Sequence, residues 1–186
     1  MSEARLWLVR HAVVAGPRGV IHAPEAPADT SDAAAFARLR AVLPDGAHVF
    51  ASPARRTLET ARALGLTARE EPAFREQYFG AWTGRRHAEL EAELGDDYHV
   101  FWRAPARNRP PGGESFCDQI TRVEAALAGL PAGDVVLVVH SGTVCAALAI
   151  ALDLAPEAAL QFVVDPLSLT RIDRLAGGWR VVCVNR

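Results

Sequence analysis

Leu6-Trp7-Leu8-Val9-Arg10-His11 is an apolar run that stops on an arginine and a histidine, and Val135 to Val139 is a second run that stops at His140. Both have the length and composition of buried strands. In an α/β sheet, ligands bind outside the carboxyl ends of parallel strands, where side chains leave the sheet for solvent. Two histidines delivered there, one with an arginine beside it, point to a catalytic site for an anionic substrate. The competing reading is a pair of strand-end histidines satisfied by local hydrogen bonds.

The 186 residues, 50% of them hydrophobic, are enough to bury one sizeable core. The formal net charge is -2, and all 20 basic residues are arginine, with no run longer than two. That balance excludes a basic tail, a nucleic-acid surface and a polybasic membrane patch. Met1-Ser2-Glu3-Ala4-Arg5 and the short apolar run behind it do not read as an export signal. The apolar stretches around Leu137 and Val144 are split by His140 and Ser141, so no membrane span is expected. A cytoplasmic protein, monomer or homodimer, is the expectation. Cys117, Cys145 and Cys183 are odd in number and lack metal-ligand spacing, so no metal site is assigned.

After the first strand, residues 12–32 form a long connection rich in Ala, Gly, Pro and Asp. A loop this long in an α/β domain is more often a binding loop than filler. Asp32 can cap a helix from Ala33 to Leu43, followed by a strand from Ala47 to Ala51. Ser52 as cap and Pro53 at the first position predict a helix to about Leu64. Further helices are expected over Arg86 to Leu94, from Glu114 or Ser115 to Leu130, and over Ser141 to Leu152. Strands are expected over Leu160 to Val164, Leu167 to Ile172 and Trp179 to Val184. This order predicts one α/β domain over residues 1–186, a three-layer α/β/α sandwich with a mostly parallel central sheet. A small cap-like helical insertion is expected at about 75–113.

Four features share one setting, the exit of a strand or the start of a helix: Arg10-His11; Ser52 with Arg56; Glu76 before Tyr78-Phe79-Gly80-Ala81-Trp82; and His140-Ser141-Gly142. Phosphoryl transfer through a histidine needs such parts. An imidazole nucleophile forms a phosphohistidine and divides one hard step into two. Arginines donate two bonds at once to phosphoryl oxygens. A carboxylic acid protonates the leaving oxygen and then acts as base toward water. A second imidazole and free helix N–H groups, such as that of Ser141, hold the anion.

Leu8-Val9-Arg10-His11, Ser52 to Arg56 with Thr60-Ala61, Glu76 with Phe79-Gly80-x-Trp82, Gly112 to Phe116 and Val139 to Gly142 together resemble the histidine phosphatase (phosphoglycerate-mutase-like) superfamily. The match runs in order along nearly the whole chain. The resemblance implies a metal-independent, cofactor-free phosphatase acting on a small phosphorylated substrate. It implies His11 as nucleophile, Arg10 and Arg56 as phosphate ligands, Glu76 as acid/base and His140 as the second histidine of the phosphate pocket. The chain departs from the pattern after the nucleophile, where Ala12, Val13-Val14 and Pro17 replace a glycine, an acidic-threonine pair and an asparagine. Proline offers neither the amide side chain nor a backbone N–H. Gly16, Arg18 or His22 could cover that loss. A non-catalytic phosphate-ligand-binding protein on a decayed scaffold is the rival expectation.

The middle of the chain, with Tyr78, Trp82, His87, Tyr98 and Trp102 around Arg86 and Glu89-Leu90, resembles the α-ribazole phosphatases of cobalamin synthesis. That implies α-ribazole 5′-phosphate or adenosylcobalamin 5′-phosphate as substrate, with a broad sugar or nucleotide phosphatase as the alternative. His22, Tyr78, Trp82, His87 and Trp102 are the candidate substrate contacts. Each has a plainer reading: Trp82 as core anchor, Tyr98 and Trp102 as one packed helical face, and His87 as a solvent-facing helix residue.

Overall fold

The structure is a computed structural model and describes residues 3–186. Met1 and Ser2, the first residues of the opening read above as no export signal, lie outside the described residues. Six strands form one sheet: β1 (Ala4–Arg10), β2 (His48–Ala51), β3 (Arg69–Glu70), β4 (Gly133–Val139), β5 (Leu169–Leu175) and β6 (Gly178–Cys183). Their order is β3-β2-β4-β1-β5-β6. The pairs β3-β2, β2-β4 and β4-β1 are parallel, and the β5–β6 hairpin adds on antiparallel to β1.

The uninterrupted apolar run in β4 has a simple cause. Val135, Leu137 and Val139 pack on one face with Leu6, Leu8, Phe116, Val123 and Leu148, while Val136 and Val138 pack on the other with Val9, Phe36, Leu39 and Ala61. Alternate side chains point to opposite faces of a strand, so helices on both sides require apolar residues at every position. The first face is covered by α5 (Phe116–Ala128) and α6 (Ser141–Leu152), the second by α1 (Ala33–Val42) and α2 (Arg55–Ala63). This is the expected three-layer sandwich.

A third, separate core holds the insertion together: Ile21, Trp82, Leu90, Tyr98 and Phe101, within and around α3 (His87–Leu94) and α4 (Asp96–Arg103). Ile21 comes from the long connection after β1, which is stitched to the insertion by backbone bonds. Ile21 N–H donates to Arg85 O, Gly84 N–H to Ile21 O, and His87 N–H to Gly19 O, at 2.6 to 3.0 Å. The insertion is closed at its far end by a tight crossing. Gly80 (φ +52°) lies so close to Pro111 that a Cβ there would stand 2.1 Å from the Pro111 carbonyl oxygen.

Several local expectations need correction. Leu160 to Val164 is not a strand. Pro156 opens a short helix, α7 (Pro156–Ala159), and the residues after it pack singly onto α6 with no neighbouring strand to pair. The first strand of the closing hairpin starts at Leu169, because Leu167 takes a left-handed φ of 58°. α2 starts at Arg55 behind Ala54, with no side-chain cap, so Ser52 and Pro53 lie outside it. The two-residue edge strand β3 has too short a pattern to read from sequence. Asp32 does cap α1, and Ser115 forms a capping box with Asp118 at the start of α5.

Candidate active site

Parallel pairing brings the sequence's separate signals to one sheet end. Arg10 pairs with Val139 and Ala51 with Val138, so the next residues, His11, His140 and Ser52, leave adjacent strands side by side. Backbone bonds hold that alignment past the strands: His11 N–H donates to Val139 O at 2.9 Å, and Ser52 N–H to Val138 O at 3.1 Å. The two imidazoles stand with ring centroids 5.0 Å apart and planes at 68°.

His11 is buried, and its Nδ1 lies 2.7 Å from the carbonyl oxygen of Ala12. A carbonyl only accepts, so Nδ1 carries the proton and Nε2 keeps a lone pair. Arg56 Nε donates to that lone pair at 3.2 Å. Burial first, then the Arg56 charge, lowers the His11 pKa to about 3. The ring is therefore neutral at any ordinary pH, with a lone pair on Nε2. Thr60 supports this turn, accepting from Ala12 N–H at 3.0 Å and donating to Arg56 O at 2.7 Å.

Arg56 is itself buried and reaches Ala23 O with Nη1 at 3.0 Å, while Arg10 Nη1 reaches Val164 O at 2.5 Å. Burial pulls both guanidiniums down, and in each case the Glu76 charge is the largest opposing influence. Arg10 Nε and His140 Nδ1 are buried and have no hydrogen-bond partner among the described residues. Two unpartnered polar atoms at one strand end mark where an anion would be held. His140 Nε2 lies 2.8 Å from Ser52 Oγ, which also accepts from Ala54 N–H. Ser52 thus lies ahead of α2, its hydroxyl shared between His140 and the Ala54 N–H. Burial, followed by His11 and Arg56, drives the His140 pKa well down.

Glu76 reaches across from the insertion side to the first turn of α6. Its Oε2 accepts from Ser141 Oγ at 3.4 Å and Gly142 N–H at 3.3 Å, and its Oε1 from Gln77 N–H at 3.1 Å and Gln119 Nε2 at 3.2 Å. A Cβ at Gly142 would stand 2.2 Å from Glu76 Oε1, so any larger residue there pushes the carboxylate aside. Ser141 is the first residue inside α6, with His140 as its cap residue. Arg122 pins the Glu76 segment from behind through Ala73 O, Arg75 O and Glu76 O, and pairs with Glu114. Glu114 also accepts from Tyr78 N–H at 2.9 Å.

The remaining candidates divide. His22 is half-buried, and its pKa is lowered by burial and then by Arg56, so it belongs to the Arg56 neighbourhood. Pro17 and Arg18 are exposed in the loop. Tyr78 is 55% exposed beside the Glu76 segment. Trp82 is 6% exposed and packed edge-on to Phe101 at 4.8 Å, which makes it the core anchor. His87 Nδ1 lies 2.9 Å from Tyr98 Oη, with Trp102 at 5.7 Å between ring centroids, a small aromatic group on the insertion. Gln119, Thr60 and Arg122 carry roles that sequence reading did not assign. The one signal for Gln119 was a polar residue on the apolar face of α5, among Phe116, Val123 and Leu127. Among the described residues no group of three or more His, Cys, Asp or Glu is placed to hold a metal ion, and no helix is long and apolar enough to cross a membrane.

A family model, that of the histidine phosphatase superfamily (branch 1), matches residues 6–186. This chain belongs to the histidine phosphatase superfamily. Among similar members, a bifunctional protein of Mycobacterium tuberculosis is 33% identical over 140 residues, covering 71% of this chain. The chain covers only 38% of that relative's length. A candidate alpha-ribazole-5′-P phosphatase of Escherichia coli superimposes with a TM-score of 0.87 at 25% identity, over 98% of this chain and 96% of that one. The mycobacterial glucosyl-3-phosphoglycerate phosphatase does so with a TM-score of 0.82 at 25% identity, over 98% and 99%. Superfamily membership therefore rests on the whole domain.

Proposed function

We propose that this protein hydrolyses phosphomonoesters through a phosphohistidine on His11 Nε2, and that α-ribazole 5′-phosphate or adenosylcobalamin 5′-phosphate is its substrate. The observation that carries the chemistry is the state of His11. A ring whose Nδ1 proton is committed to a carbonyl presents a neutral nucleophile, and Arg56 stands on the same nitrogen. In the first step Nε2 bonds phosphorus, and the phosphorus–oxygen bond breaks with its electron pair on the leaving oxygen. Glu76 gives that oxygen a proton. In the second step water bonds phosphorus as its proton passes to Glu76, and the phosphorus–nitrogen bond breaks. Arg10, Arg56 and His140 are the groups that would hold the phosphoryl oxygens, exchanging their present bonds and unpartnered atoms for charge-assisted ones.

The substrate reading has narrower support. The Escherichia coli structure suggests a bulky benzimidazole nucleoside, and exposed Tyr78 and Trp102 offer aromatic area for one. The mycobacterial structure instead suggests a sugar phosphate, so a broad phosphatase is the second reading. Exposed Pro17, without an N–H to offer a phosphate, favours the third, a binding protein.

Three measurements separate them. Labelled phosphate from substrate should be trapped in acid-labile form on the wild-type protein and not on His11→Ala. In a kinetic panel, kcat/KM for α-ribazole 5′-phosphate should exceed that for 3-phosphoglycerate by at least ~10³, roughly 4 kcal/mol of differential transition-state binding. A flat panel moves the protein to a general phosphatase. Calorimetric binding of vanadate without turnover of any ester moves it to the binding protein.

A further inference from the structure

Gln119 is fully buried on α5, where the surrounding positions are apolar. A buried amide costs free energy unless its polar atoms are used. Its nitrogen has three acceptors in reach: Arg75 O at 3.2 Å, Glu76 Oε1 at 3.2 Å and Thr143 Oγ1 at 3.4 Å. Its oxygen has no partner among the described residues. Turning the amide over would set that oxygen against the Arg75 carbonyl, which can only accept. Arg75 therefore holds the NH2 group toward Glu76 whatever the carboxyl group's protonation state. Packing alone does not call for this residue, since methionine fills a similar volume and leaves no orphaned oxygen.

The consequence falls on Glu76. Both partners of its Oε1, the Gln77 N–H and the Gln119 NH2, only donate, so a proton on Oε1 would displace one of them. Oε2 faces the Ser141 hydroxyl, which can accept as well as donate. We propose that Gln119 is a positioning residue that confines the transferable proton of Glu76 to Oε2, the oxygen against the first turn of α6. This rests on Glu76 being the acid/base of the phosphatase reading above. The proton leaves Oε2 for the ester oxygen as the phosphorus–oxygen bond breaks, and Oε2 recovers one from water in the second step. Gln119 itself touches no substrate.

The test is the leaving-group dependence of kcat in the full chain, with phenyl phosphate as the poor leaving group and 2,4-dinitrophenyl phosphate as the good one. Gln119→Met should lose ~10–100-fold on the phenyl ester, part of what a positioned proton donor supplies, and little on the dinitrophenyl ester. In a Glu76→Gln background the same substitution should add no further loss, because the group it positions is gone. Gln119→Leu, which likewise has no N–H to donate, should show the same pattern and decides the matter if the methionine variant does not fold. Equal losses on both esters, or an undiminished loss in the Glu76→Gln background, overturn the role of Gln119. A Glu76→Gln variant with no leaving-group dependence of its own overturns the acid/base reading instead.

Discussion

Replacing His11 by glutamine should flatten the acid side of the protein's stability curve. The native ring, held to about 3 by burial and by Arg56, stays neutral well below the ordinary value of 6.5. In the unfolded chain the same ring takes up a proton as pH falls through 6.5. The unfolded state then binds more protons than the native one, so stability falls with pH. The contribution is complete above 6.5 and is lost progressively as pH falls toward about 3. From about pH 7 to about pH 5 the linkage integral is about 2 kcal/mol. That magnitude is set by the unfolded imidazole alone, because the native ring is neutral throughout the window. It is a large fraction of the 5–15 kcal/mol on the order of which whole domains are stable. Glutamine keeps a side-chain N–H for the Ala12 carbonyl and does not titrate. His22 and His140 are present in both chains, and burial, the largest cause of each lowered value, is kept in both, so their contributions largely cancel in the comparison. Urea unfolding at both pH values, for wild type and His11→Gln, measures the difference. If both chains lose the same stability to within ~0.5 kcal/mol, native His11 is taking up a proton, and the neutral nucleophile has to be abandoned.

Glu76→Gln should lower turnover of phenyl phosphate by ~10²–10⁴ and that of 2,4-dinitrophenyl phosphate far less, as measured by steady-state kinetics. Gly142→Ala puts a methyl group 2.2 Å from Glu76 Oε1 and should show the same leaving-group pattern, with a thermal melt showing that the fold survives. Trp82→Ala should cost ~3–5 kcal/mol in urea unfolding, as loss of a buried aromatic does, while kcat for phenyl phosphate stays within several-fold. Unchanged stability with a collapsed kcat would make Trp82 a substrate platform after all.

The residues that sequence reading misplaced have one thing in common: a partner far away in the chain. Ser52 looks like a cap because serine before proline and a polar run is a local pattern, yet its hydroxyl is engaged by His140, 88 positions on. Leu160 to Val164 has the composition of a strand and no strand to pair with, and the Val164 carbonyl serves Arg10 instead. Trp82 is open in the sequence between core anchor and substrate contact, and its packing with Tyr98, Phe101 and distant Ile21 favours the core anchor.

By itself the sequence determined the layered sheet and the residues at its active end. Those depend on local patterns: two apolar runs buried on both faces, each stopping at a polar residue that the strand must deliver to its carboxyl edge. Only the tertiary structure decided the tautomer, burial and hydrogen-bond directions around these residues. The His11 tautomer follows from where the Ala12 carbonyl points, and its lowered pKa from burial beside Arg56. Glu76 Oε1 accepts from its neighbour Gln77 and from Gln119, 43 residues away. Hydrogen-bond direction and desolvation are properties of three-dimensional neighbours, and no run of residues specifies them until the sheet brings those neighbours together.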